Sequence, residues 1–188
     1  MLRKLLLMVA TLPVINGAYA EIWEIDDNYQ IVYNTVGDKI QIKFILKNNK
    51  VGWMGLGFNE FMFPADCIVV WWDDQIGPIA WDAYNPGIPT LPMFPAPIQD
   101  VDPLIRLNDA SPFDNKNNVK IISSSNENGT IVITVERDLN TKDVFDRELI
   151  KGQIIPVVAA YNDDDIFINE FGANQPMHTN YGAAKWRL

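Results

Sequence analysis

The chain reads as an all-β, immunoglobulin-like β-sandwich of about ten strands with one short helix. Three observations give this. Apolar residues come in short runs or at every second position, the runs have strand length rather than helix length, and Gly, Asn, Asp and Pro clusters separate them.

Residues 1–20 are read as a secretory leader outside the fold. Arg3 and Lys4 begin it, an apolar run follows, and Ala18 and Ala20 place small residues where a signal peptidase cuts. Pro13 and Asn16 interrupt that run short of the ~20 apolar residues a membrane span requires. The expected mature chain is therefore 21–188, one secreted or secretory-lumen domain with no transmembrane span.

Strands are expected at 22–25 and 29–34, split by Asp26, Asp27 and Asn28, and at 39–47, where Ile40, Ile42, Phe44 and Leu46 alternate with other residues. Further strands follow at 51–58, 67–73 and 78–83. Within 67–73, Trp71 and Trp72 project to opposite faces, so one sheet face must cover something besides the main core or leave an aromatic exposed. From 84 to 113 seven prolines, Pro86 to Pro112, forbid a helix or central strand and give a long loop. Strands at 119–125 and 130–137 flank a hairpin loop, 126–129, with Gly129 available for positive φ. The one helix is expected at 143–151, with Asn140 or Thr141 as N-cap and Gly152 at its end, before strands at 153–161 and 183–188.

Charge and rare residues exclude whole classes of function. The net charge is −9; without Arg3 and Lys4 the 15 basic residues become 13 against 24 acidic, about −11, which repels phosphate backbones and excludes nucleic acid as a partner. The lone Cys67 gives no disulfide and no Cys-x-x-Cys site, and among its apolar neighbours it reads as a buried small hydrophobe. The lone His178 removes multi-histidine metal sites. Asp73-Asp74 and Asp163-Asp164-Asp165 read as solvated turns rather than calcium sites, since their spacing is not that of an EF-hand. Asn128-Gly129-Thr130 is an N-glycosylation sequon in a hairpin loop, which fits passage through a secretory pathway and the expectation of a secreted glycoprotein.

One stretch asks for a binding partner. After the polar pair Asn59-Glu60 come Phe61, Met62 and Phe63, an apolar trio at a loop tip that should be packed against something. The order Gly52-Trp53-Met54-Gly55-Leu56-Gly57-Phe58, then Met62-Phe63-Pro64-Ala65-Asp66, then Ile68-Val69-Val70, resembles the DOMON domain family in its haem-binding type. Arg137, Leu139, Thr141 and Asp143 are similar to the family's R-x-L-x-T-x-D segment, and His178, followed by Gly182 and Trp186, stands where members place a histidine before the last strand.

The resemblance implies a non-covalent haem b whose iron takes Met62 and His178 as axial ligands, with Phe61, Phe63 and Trp72 lining the slot. Met54 and Met177 are rival ligands. A thioether and an imidazole filling both axial positions favour electron transfer over oxygen activation, so the implied role is an electron carrier more than an enzyme. Its partner is then a separate redox protein or a small-molecule electron donor or acceptor, docked transiently through the acidic surface. Two haem-free readings stand beside it: a carbohydrate-binding or adhesion module with Trp72 or Trp81 stacking on sugar rings, and a subunit of a larger assembly contacted through the proline-rich loop.

Overall fold

The computed structural model describes residues 21–49, 52–61, 65–85, 98–99, 117–163 and 179–188. Strands β1 (Glu21–Glu24), β2 (Tyr29–Val36), β3 (Lys39–Leu46), β8 (Lys120–Glu127) and β9 (Thr130–Asp138) form one sheet in the order β1-β2-β3-β9-β8. The other runs β11-β10-β4-β5-β6-β7, from β4 (Trp53–Gly57), β5 (Ala65–Asp73), β6 (Gly77–Asn85), β7 (Ile98–Gln99), β10 (Ile154–Tyr161) and β11 (Asn180–Arg187). All pairings are antiparallel. Each strand expected from the sequence is present. The additional β7 pairs only with Ala83 and Tyr84 of β6 at the sheet edge, a place that tolerates a proline-flanked segment.

Alternation builds the core. Tyr29, Ile31 and Tyr33 of β2 and Ile40, Ile42, Phe44 and Leu46 of β3 face Met54, Leu56, Ile68, Val70, Ile155, Val157 and Tyr161 of the second sheet, and all are buried. Each such side chain contributes about 1.5–3 kcal/mol by leaving water, against the chain entropy lost on ordering. Trp186 of β11 stacks on Tyr33 with ring centroids 3.9 Å apart, while Trp23 and Phe58 meet it edge-on. Between β8 and β9 the loop is tighter than expected: only Asn128 and Gly129 turn, at φ 51° and 74°, the two positive values a type I′ hairpin needs.

The expected helix at 143–151 does not form. Its amides go elsewhere: Lys142 to Asn140 Oδ1, Asp143 to Thr141 Oγ1, Phe145 to Asp143 Oδ1, Arg147 to Asp66 Oδ2 and Leu149 to the Leu139 carbonyl. Short Asn, Thr and Asp side chains compete successfully with i−4 carbonyls, and Lys142 takes a positive φ of 61°. Gly152 has φ 79° in the turn that leads to β10, where its amide donates to the Leu188 carbonyl.

That extended segment closes over a buried charge cluster. Arg137 of β9 donates through Nη1 to both oxygens of Asp66 of β5, at 2.9 and 2.7 Å, and lies 3.9 Å from Asp146. Oxygens of Asp66, Asp82 and Asp146 all lie within 4.8 Å of one another, a spacing a metal ion could bridge, but the guanidinium already brings a cation into that gap. Asp82 Oδ2 accepts the Asn118 amide, while Asp82 Oδ1 and Asp146 Oδ2 are buried without a hydrogen-bond partner. Burial, with Asp146 adding to it against the opposing pull of Arg137, pushes the Asp82 carboxyl up to about 8. Burial also raises Asp66, to about 6, although Arg137 opposes it; since Asp66 holds the guanidinium, Asp82 is the carboxyl that keeps its proton near neutral pH.

An unfolded aspartate titrates near ~3.9. The folded value of Asp82 lies above that, so the native state binds the proton more tightly, and the stability this confers below about pH 4 is lost as pH rises towards 8. Asp26 and Glu136 are held below the usual carboxylate range and act at lower pH. The melting temperature is expected to fall by roughly 5–10 °C from pH 5 to pH 8. Asp82→Asn should make that slope shallower in thermal melts, leaving the share that Asp66 contributes up to about pH 6; a variant with the wild-type slope contradicts the assignment.

Candidate cofactor site

Strands β4 and β5 are apolar on both faces. Their inward residues, Met54, Leu56, Ile68, Val70 and Trp72, join the main core, and their outward residues start a second cluster on the other side of the sheet. Ala65, Cys67, Val69, Trp71 and Ala83 are buried there, with Trp53, Ile79 and Trp81 partly buried against them.

The register puts these residues in rows across the strands. Ala160, Gly55, Val69 and Trp81 form one row, and Val158, Gly57, Cys67 and Ala83 the next. Trp53, Trp71 and Ile79 form a third. Gly55 and Gly57 of the Gly-Trp-x-Gly-x-Gly-Phe segment thus face outward, and neighbouring side chains close over them. A Cβ on Gly57 would press on Val158 Cγ2 at 3.1 Å, and one on Gly55 on the Trp53 ring at 3.2 Å. Trp71 and Trp81 fix each other edge to face at 4.7 Å. The result is a flat, closely packed apolar outer face bordered by Trp53, Trp71 and Trp81.

Two loops leave this sheet at opposite corners. The loop after β4 is closed at its base by the Phe58 amide, which donates to the Asp66 carbonyl at 2.8 Å, and Phe61 at its tip is 65% exposed. At the other corner the Thr179 amide donates to the Tyr161 carbonyl at 2.7 Å, pinning the chain immediately after His178. Tyr161 and Asn180 there both donate to Asp26 Oδ2, at 2.8 and 2.7 Å. Burial works against the Asp26 charge, but these bonds and the amides of Asn28 and Tyr29 outweigh it and hold the carboxyl low.

Among the residues expected to serve the site, Met62, Phe63 and His178, with the rival Met177, lie outside the described residues. Phe61 is at the loop tip, whereas Trp72 is inward-facing at the far end of β5, paired with Pro78, so these two are not brought together. Met54 is wholly buried in the main core and is not on the outer face. Trp53, Trp71 and Trp81 belong to the outer cluster. The uninterrupted apolar run from Cys67 to Trp72 carried that information, because a strand covered on both faces loses its alternation. Asp73 Oδ1 accepts the amides of Gln75 and Ile76, so this acidic pair caps a turn.

Comparison with known proteins now has a geometry to rest on. The fold is similar to the cytochrome domain of Myriococcum thermophilum cellobiose dehydrogenase, with a TM-score of 0.60 at 11% identity over 90% of this chain and 82% of that one. It is also similar to the cytochrome b domain of pyranose dehydrogenase from Coprinopsis cinerea, with a TM-score of 0.55 at 13% identity over 84% and 75% of the two chains. No curated protein sequence matches. The DOMON domain description matches residues 25–162, most of the chain, and with the paired sheets and both family segments in place, the chain belongs to the DOMON domain family.

Proposed function

We propose that this is a secreted DOMON protein that binds one haem b over the outer face of the second sheet and carries single electrons. The observation that carries the reading is the outward floor of Gly55, Gly57, Val69 and Cys67 rimmed by Trp53, Trp71 and Trp81, which fits a flat apolar macrocycle. The two similar structures are titled cytochrome domains, which agrees with it.

Chain reach supports Met62 and His178 as the ligand pair. Ala65 and Asn180 are separated by five residues along β5 and three strand spacings, roughly 22 Å. Met62 is three residues from Ala65 and His178 two from Asn180, reaches of at most about 11 and 7 Å for the Cα atoms. Only by turning inward over the sheet can the two side chains meet, and that path runs above the glycine floor. Phe61 and Phe63 then supply apolar cover from the loop, while Trp53, Trp71 and Trp81 take the lining role that Trp72, facing inward, is not placed to fill. Haem so ligated supplies reversible one-electron redox chemistry with no open coordination position.

The ligand pair is tested by spectra of the reduced protein. Wild type should show sharp α and β bands and no response to carbon monoxide. Met62→Ala should bind carbon monoxide, and His178→Ala should lose most of its haem. Wild-type spectra in both variants would contradict the assignment. A protein that folds and stays colourless with haem supplied would favour the sugar-stacking reading, with half-buried Trp81 as its stacking ring.

Secretion brings a second expectation. Asn128 is exposed at the tip of the β8–β9 hairpin, where a glycan meets no neighbour from the core. Expressed in a eukaryotic secretory host, the protein should start at Glu21 and lose one glycan's mobility shift on Asn128→Gln or on peptide-N-glycosidase treatment. Intact Met1 on the exported protein would contradict the leader, and unchanged mobility would contradict the glycan.

A further inference from the structure

The segment that failed to become a helix places Arg147 in an unusual position. Its amide donates to Asp66 Oδ2 at 2.7 Å, its carbonyl accepts Arg137 Nη2 at 2.7 Å, and its Nη1 donates to the Phe58 carbonyl at 2.8 Å. Phe58 and Asp66 are the two residues joined by the hydrogen bond at the base of the 58–66 loop, and the Phe58 ring lies 5.0 Å beneath the Arg137 guanidinium. Two of these three bonds go directly to that loop base, and the third goes to Arg137, which itself holds Asp66. In a helix its amide would have gone to residue 143, and the clamp could not exist.

From this geometry we infer that Arg147 is a positioning residue: it fixes the base of the 58–66 loop and thereby the approach of the loop methionine to the iron. The inference rests on the haem reading for its spectroscopic consequence only; the clamp itself is a property of the apoprotein. Arg137 and Asp66 cannot be separated from folding, because each removes half of a buried ion pair. Arg147 is only half-buried, and its guanidinium can be replaced while its backbone bonds to Asp66 and Arg137 remain.

The experiment compares wild type, Arg147→Gln and Arg147→Lys in two arms. In the apoprotein, hydrogen exchange of the Phe58 amide should quicken by about ten-fold or more in Arg147→Gln, while amides of β3 and β9 keep their protection. Arg147→Lys, with one donor still able to reach the Phe58 carbonyl, should fall between. In the haem-loaded protein, ferrous Arg147→Gln should bind carbon monoxide where wild type does not, with Arg147→Lys partly restored. Unchanged exchange at Phe58 overturns the clamp. Faster exchange with an unaltered carbon monoxide response overturns its link to the methionine. If wild type takes up no haem, the functional reading fails, yet the exchange arm still decides the clamp.

Discussion

The two-toothed contact of Arg137 with Asp66 is the constraint around which this end of the sandwich is arranged. It joins β9 of one sheet to β5 of the other, and both side chains are almost wholly buried. A buried ion pair adds little net stability, but leaving either charge without the other costs about 3–5 kcal/mol, so it excludes alternative packings more than it strengthens the chosen one. Here it also recruits neighbours. Asp66 takes the Arg147 amide, Arg137 takes the Arg147 carbonyl and covers Phe58, and the residual negative charge is relieved by a proton on Asp82. The segment 139–150 is drawn into an irregular path by these bonds, which is why a helix loses there.

The proposed function lies on the opposite side of the same strand. Because side chains alternate, β5 sends Asp66, Ile68 and Val70 into the sandwich and Cys67, Val69 and Trp71 out of it. The inner set settles the fold; the outer set, with Gly55 and Gly57 beside it, makes an apolar face on which the proposed haem would find dispersion contact. A proposed haem on that floor sits near the root of the loop after β4, so the ion pair that orders the interior also sets the geometry of the proposed ligand loop. The fold and the proposed site would be coupled through two adjacent residues, Asp66 and Cys67.

Much of this was legible in the sequence, and the parts that were not have physical reasons. The alternation in 39–47 and the turn clusters between runs gave the strands, since burial of one face writes itself into every second residue. The segments around Gly52–Phe58 and Arg137–Asp143 pointed to the family. What the sequence concealed was long-range: Asn140, Thr141 and Gly152 are sound helix punctuation, but propensity cannot anticipate that Arg147 will find a better acceptor on Asp66, 81 positions away. The outer cluster was legible in part: the apolar run from Cys67 to Trp72 says that both faces of the strand are covered, but not that Trp53, Ile79, Trp81 and Ala83 of the neighbouring strands join it. Nor could residue types show that Asp82 would lie buried beside two other carboxylates.

The central claim is that the outer face of the second sheet takes haem, and stepwise addition of haem to the mature apoprotein tests it most directly, with the Soret band and tryptophan emission read together. The account predicts saturation at one haem per chain, with emission quenched in step because Trp53, Trp71 and Trp81 border the floor. Emission that stays constant while the Soret band saturates would place the haem elsewhere on the molecule, and no saturable Soret change at all would remove haem from the account.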